Sequence, residues 1–332
     1  MLEYIEQLSN ICSASGDEGK VRSYIASVIK PYVDELYTDT IGNLYAVKHG
    51  GERKIMLDAH MDEVGVVITD YRDDGTLDYT AHLSIDPRLA LGKTLAVGPN
   101  ELPGVFRLKH EYRNPAEGEY LGHDKLCIDV GSSSREETEK VVSLGDYACF
   151  NTKWRRMGEN MMAGKAFDDR IGCAIMMELL KNDYPCDLYA VFSVQEETGG
   201  DGAVTGGYNI TADECISVDV SFANAPDMPS KKCGKLGKGS MIGVAPVLDY
   251  AMSVKLQSIA NEKDIPYQLE LIGDSTGTNA DHIAVSKGGV KTALVSIPQR
   301  NMHTGVEIID VKDVESSARL IAEYVLGGGL DA

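Results

Sequence analysis

Apolar positions along the chain recur in two rhythms, and the rhythm changes from stretch to stretch. Val21, Tyr24, Ile25, Val28 and Ile29 fall at the spacing of one helical face and stop before Pro31. Ser15-Gly-Asp-Glu18 lies just upstream with the spacing of a capping box. The opening segment is therefore expected to hold two helices. Asn43-Leu-Tyr-Ala-Val47 and Lys54-Ile-Met-Leu-Asp58 follow as strands, the second apolar enough to lie inside a sheet.

From about Gly65 to Met162 the texture is different. Runs are short and often alternate, and turn residues are dense, as in Asp73-Asp-Gly75, Gly98-Pro-Asn100 and Pro103-Gly104. One helix is expected there, opened by Ser134-Arg-Glu-Glu137. After this stretch, helix and strand alternate. Arg170 to Lys181 has an apolar helical face, Asp187 to Val194, Glu214 to Val218 and Lys291 to Ile297 are strand-like, and Val311 to Leu326 closes the chain as a helix. Such alternation predicts an α/β fold: a three-layer αβα catalytic domain with a mixed, largely parallel sheet, plus an inserted mostly β domain. The expected division is residues 1–64 with 163–332, interrupted by 65–162.

Composition narrows the function. The 332 residues are 43% hydrophobic and 25% charged, ordinary for a globular chain. A formal charge of -19 opposes a phosphate-binding surface, so no nucleic acid partner is expected. No stretch approaches the roughly 18 apolar residues of a membrane span. The seven cysteines are scattered, with no CxxC pair, and the N-terminus lacks a basic segment followed by an apolar core. A reduced, cytoplasmic protein is the expectation.

Candidate chemistry sits where apolar strands run into acids or histidines. These are His60 with Asp62 and Glu63, Glu196-Glu197, Asp219 and, beyond Pro298, His303; Asp168-Asp169 sits before a helix. In open α/β sheets, sites form beyond the carboxyl ends of strands. Two histidines and three carboxylates suit Zn²⁺, Co²⁺ or Mn²⁺ better than an oxygen-only cage. A pair of divalent ions leaves one net positive charge over three carboxylates, suited to holding a bridging hydroxide, whereas a single ion would be over-neutralised. Adjacent residues at a strand end face opposite sides, so one of Glu196-Glu197 can bind metal while the other faces substrate. Asp62 is placed to accept a hydrogen bond from the His60 imidazole.

Taken singly, each feature has an ordinary explanation. His60 could be a core histidine satisfied by Asp62, Asp168-Asp169 a helix cap, and Gln195-Glu-Glu-Thr-Gly199 a polar turn. Together and in order they resemble the glutamyl and tetrahedral (TET) aminopeptidases, a dinuclear metallopeptidase family labelled in places as cellulase or endoglucanase. The resemblance rests on Ala59-His-Met-Asp-Glu-Val-Gly65, Gly164-Lys-Ala-Phe-Asp-Asp-Arg170, Val194-Gln-Glu-Glu-Thr-Gly199, Val218-Asp219 and Ile297-Pro-Gln-Arg-Asn-Met-His303. It implies that His60, Asp168, Glu197, Asp219 and His303 hold two divalent ions per subunit, with Asp168 bridging. It further implies Glu196 as general base, Asp62 as the partner of His60, short peptides as substrates, and the insert as a dimerisation domain building a homo-oligomeric dodecamer. A dinuclear deacylase or amidase acting on small N-acyl amino acids is the alternative. Glycoside hydrolysis would leave the histidines without a role.

Two positions depart from the family pattern. Gly277-Thr-Asn-Ala280 stands for Gly-Thr-Asp-Ala, and Arg300-Asn-Met-His303 for Arg-Tyr-x-His. Both are expected near the substrate-binding wall. His282 is expected to line the pocket, and Gly234 to Gly239 to form a loop at its entrance.

Overall fold

The computed structural model describes residues 1–82, 84–112, 120–225 and 233–330. Its centre is an eleven-stranded mixed sheet. Across the main path the order is Glu35–Thr38, Leu44–Lys48, Asp187–Ser193, Lys54–His60, Glu214–Phe222, Lys291–Arg300, Glu307–Asp310, Met161–Gly164 and Arg155–Met157. Ser240–Val244 and Tyr267–Leu271 branch from Lys291–Arg300. The four strands from Asp187–Ser193 to Lys291–Arg300 are parallel, and both flanks of the main path are antiparallel.

Period-two alternation sends side chains to two layers of core. Ile55, Leu57, Ile216 and Val218 join the larger core under the helices Leu2–Asn10, Phe167–Leu179 and Val311–Leu326. Met56, Val191 and Cys215 join a smaller core beneath Asp201–Asn209 and Ala280–Ile283. Asp58, His60, Asp219, Ser221 and Ser296 share the parity of that second face. One rhythm thus separates the greasy face of these strands from the polar one.

Gly65–Tyr71, Leu77–Ala81, Leu126–Asp129, Leu102–Leu108, Thr94–Val97 and Tyr147–Phe150 close into a small barrel with its own core around Val66, Phe106 and Ile128. The hairpin Arg155–Met157 and Met161–Gly164 belongs to the large sheet, although the expected insert reaches 162. Ser134 caps its short helix by accepting from the Glu137 N–H. The expected box at Ser15 does not form: helix Gly19–Ile29 has no side-chain cap, because the Ser15 hydroxyl donates to Asp62 at 2.5 Å. No helix among the described residues is long and apolar enough to cross a membrane.

Candidate metal centre

His60 ends its strand, with Ser193 as its parallel neighbour. The imidazole is buried. Its Nδ1 faces the Asp62 backbone carbonyl at 3.1 Å and Asp62 Oδ1 at 3.4 Å, and its Nε2 faces Asp168 Oδ1 at 3.0 Å. With Nδ1 donating to Asp62, Nε2 is the nitrogen available to a cation.

Asp168 and Asp169 sit in non-helical conformation at the head of helix Phe167–Leu179. The second oxygen of Asp168 faces His303 Nε2 at 3.1 Å, so one carboxylate spans two imidazoles. Glu197 Oε2 lies 3.4 Å from the same His303 nitrogen. Asp169 accepts from the Gly172 N–H and leaves its other oxygen buried without a partner. His60 can be grouped within 4.8 Å either with Asp168 and Glu197 or with Asp169 and Asp219. Geometry therefore brings both aspartates close.

Asp219 does not end its strand, as the sequence suggested; the strand runs on to Phe222. Its pairing with Lys54–His60 covers only Glu214 to Ser217, while pairing with Lys291–Arg300 continues. One strand edge is open beyond Ser217, and Asp219 projects into that crevice. Strand Lys291–Arg300 likewise continues through Pro298, leaving His303 in the turn after it.

Glu196 and Glu197 are not on alternating strand faces. The strand stops at Ser193, Gln195 turns at positive φ, and both glutamates occupy the turn that follows. Asp62 orders this turn, accepting from the N–H groups of Glu196 and Glu197 at 3.1 Å each. Asp62 thus holds the two glutamates in place as well as facing His60.

Glu307 carries a positioning role that the sequence did not reveal. Its buried carboxylate accepts from the N–H groups of Phe167 at 2.6 Å, Asp168 at 3.3 Å and His303 at 3.2 Å. It ties the backbones of two candidate ligands together. Asn279 is likewise not on the wall. It lies 2% exposed behind the site, donating to Asp58 at 2.7 Å and Ser193 Oγ at 2.8 Å. An aspartate there would set two carboxylates against each other; asparagine supplies the donor. Asn301 is exposed at positive φ. His282 packs against Gly200 and is not among the residues lining the cavity. Of the glycine-rich loop, the preceding Cys233 reaches the cavity, while the Gly237 and Gly239 N–H groups turn toward Asp313.

The electrostatics are lopsided. Burial alone would lower the His60 pKa, but bonding to Asp168 and Asp62 holds it well above the ordinary value. Burial opposes ionisation of Asp168 too, yet both imidazoles pull its carboxyl well below the usual range. Burial, aided by the charges of Asp168 and Asp62, pushes Glu196 up to about 7. Burial first and neighbouring carboxylates second raise Glu197, Asp219 and Asp169. Among the described residues no lysine or arginine forms an ion pair with Asp168, Glu196, Glu197 or Asp219. Glu197 Oε1 and Asp169 Oδ2 are buried without partners. Unpartnered carboxylate oxygens beside two imidazoles match the donor set of a borderline divalent cation. By contrast, the grouping of Cys12, Glu63 and Cys149 is a poor cation site, because Lys165 already occupies both Glu63 oxygens at 2.6 and 2.7 Å.

A cavity of about 800 Å³ opens over Asp168, Glu196, Glu197, Asp219 and His303. Comparison with known proteins fits this picture. The M42 glutamyl aminopeptidase family model matches residues 42–320. Lysyl aminopeptidase of Pyrococcus furiosus is 31% identical, over 90% of this chain and 89% of its own. Aminopeptidase APDkam598 from the archaeon Desulfurococcus kamchatkensis superposes with a TM-score of 0.92 at 34% identity, over 98% of this chain and 94% of its own. The TET1 peptidase of Pyrococcus horikoshii, described as assembling into a tetrahedron or a large octahedral shell, superposes with 0.85 at 27% identity over 98% of both chains.

Proposed function

This chain belongs to the M42 glutamyl aminopeptidase family and is a peptide-bond hydrolase, and we propose that it removes N-terminal residues from short peptides at a dinuclear metal centre. The observation that carries this reading is Asp168, whose two oxygens each face a different imidazole, at 3.0 and 3.1 Å. A carboxylate so placed can serve two cations at once.

In this reading His60 and Asp219 would hold one ion and Glu197 and His303 the other, with Asp168 available to both. A pair of Zn²⁺ or Co²⁺ ions, with Mn²⁺ also suited, would supply a bridging hydroxide at neutral pH and polarise the scissile carbonyl. Glu196 stands 3.8 Å from His60 Nε2 on the cavity side, within reach of a proton moving between the nucleophile and the leaving amine. Asp62 fixes the His60 tautomer and, through two backbone N–H groups, the position of Glu196 and Glu197. Glu307 fixes the backbone at Asp168 and His303.

The barrel of strands between Gly65 and Phe150 is proposed as the dimerisation domain of a homo-oligomer, within an insert spanning 65–162. Support for assembly comes from the TET1 peptidase that the chain resembles over nearly its whole length. Dispersed free cysteines favour a cytoplasmic location.

The test is hydrolysis of aminoacyl chromogenic amides by chelated and then metal-reloaded protein, alongside the same amides with blocked amines. Free-amine substrates should be cleaved only after reloading. Cleavage confined to blocked substrates would establish the deacylase instead.

A further inference from the structure

The relatives named above leave the preferred N-terminal side chain open, since a lysyl aminopeptidase matches a family described as glutamyl. The cavity beside the metal centre is more specific. Its lining away from the metal-side carboxylates includes the apolar residues Met241, Ile272 and Met302. Leu269 and Leu271 border it too, but strand alternation turns their side chains to the face opposite Glu270. Phe222, at the rim of the cavity, is 50% exposed, so the mouth lies open. Set into this lining is one carboxylate, Glu270.

Glu270 is held rather than neutralised. Ser221 Oγ donates to its Oε1, and Ser296 Oγ donates to its Oε2 at 2.7 Å. Among the described residues no lysine, arginine or histidine is seen paired with it; its two bonds are to hydroxyls. Burial raises its carboxyl above the usual range, and only the two serines oppose that. The group therefore lacks a positive partner.

Strand geometry fixes where this charge stands. Ser221 is two residues beyond Asp219 on the same strand, so both side chains leave the same face of the sheet. Ser296 is the parallel partner of Asp219 in the neighbouring strand. Adjacent strands lie about 4.8 Å apart. Both hydroxyls that grip Glu270 thus come from positions next to a candidate metal ligand. A residue whose carbonyl sits at the metal centre can extend its side chain along the apolar wall toward Glu270.

We infer that this cavity is the side-chain pocket for the N-terminal residue of the substrate, and that Glu270 selects a basic one, lysine or arginine. The inference rests on the aminopeptidase reading above. The match is chemical: a long apolar stem for the wall, and a cation for the single carboxylate at its end. A glutamyl side chain would meet a like charge, and an aliphatic one would cover the half-buried carboxylate without giving it a cation.

Lysine and norleucine isolate the cation, because they share a four-carbon stem and differ in the terminal ammonium. Metal-loaded protein is expected to cleave lysyl and arginyl amides with kcat/KM at least about 10-fold above norleucyl amide. Glu270→Gln is expected to lower the lysyl value by about 10–100-fold while the norleucyl value stays within about threefold. Preference for norleucyl or glutamyl amide in the wild type, or an equal loss on every substrate in the variant, overturns the assignment. Titration calorimetry with free lysine and norleucine separates this from the parent reading. Tighter lysine binding that disappears in Glu270→Gln, with no amide cleaved, would uphold the pocket and remove the aminopeptidase reading. Equal binding of the two amino acids would remove the pocket. Should Glu270→Gln not fold, the uncharged Glu270→Met carries the same comparison.

Discussion

Two buried carboxylate clusters stand side by side, and they balance their charge in opposite ways. Glu63, three residues after His60, accepts from Lys165 at 2.6 and 2.7 Å and from Arg170 at 3.5 Å; those cations bracket Asp168 in sequence. Lys165 and Arg170 also donate to the carbonyls of Ile11 and Leu8, each at 2.8 Å, so this cluster ties the end of the first helix to the rest of the domain. Asp168, Glu196, Glu197 and Asp219 have no lysine or arginine of their own among the described residues. The chain is able to bury a lysine and an arginine beside an acid within a few residues of this site, yet among the described residues of the two clusters it does so only for Glu63. The second cluster is where an outside cation is wanted.

The largest expected effect is at Asp168. Asp168→Asn removes the charge that both imidazoles face, and should lower kcat/KM by more than about 10⁴-fold, or roughly 5 kcal/mol. Bound metal, measured by elemental mass spectrometry, should fall with it. The metal-free protein should also lose some stability at neutral pH, because Asp168 is the carboxylate that keeps the buried His60 charged. The loss should be less than at Glu63, since an imidazole can shed its proton where a lysine or arginine does not. Near-normal activity in this variant would remove the distinction between the clusters.

Glu63→Ala should do the reverse. It leaves Lys165 and Arg170 buried without their carboxylate, a loss of about 3–5 kcal/mol in stability by urea unfolding. Per folded molecule, metal content should be unchanged. If Glu63→Ala empties the metal site and leaves stability intact, the roles assigned here to the two clusters are exchanged.

Glu307→Gln tests the support beneath the metal centre, at a smaller magnitude. An amide can offer only one oxygen to N–H groups that now share two, at Phe167, Asp168 and His303. Metal affinity should weaken by about 10–100-fold, as when the hydrogen-bond partners behind metal ligands are removed. A competition titration with a metal-binding dye measures this directly. An unchanged affinity would make Glu307 a passive core acid.

The sequence showed the acids and histidines because local order creates them: a strand, then a polar residue at its end, as at His60. It also showed the layered α/β fold, through the change between helical and alternating rhythm. It did not show the groups that act across the fold. Glu307 meets Asp168 over 139 residues of chain, and Asn279 meets Asp58 over 221. Nothing near either residue signals its partner. Ser15 misled for the same reason: its spacing to Glu18 is that of a local cap, but its hydroxyl serves Asp62, 47 residues away. The glutamate pair misled differently, because a positive φ at Gln195 ends the strand rhythm before it reaches them.

Asp313 offers a third arrangement, and with it the smallest expected effect. In the first turn of helix Val311–Leu326, it accepts from the N–H groups of Gly237 at 2.7 Å and Gly239 at 2.6 Å and forms no ion pair with a described residue. Burial nonetheless pushes its carboxyl up to about 6, with the nearby Asp310 charge adding to the rise. A carboxyl whose folded pKa exceeds its unfolded value of about 3.9 takes up protons on folding. It therefore lowers stability above pH 6, and the penalty is relieved as pH falls toward 4. In metal-free protein, the stability difference between wild type and Asp313→Asn should shift by on the order of 1 kcal/mol between pH 7 and 4.5, in favour of wild type at the lower pH. Parallel pH curves would mean that two backbone N–H groups hold a buried carboxylate as well as Lys165 and Arg170 do. The unpaired acids at the metal centre would then need no cation for stability, and their demand for one would rest on function alone.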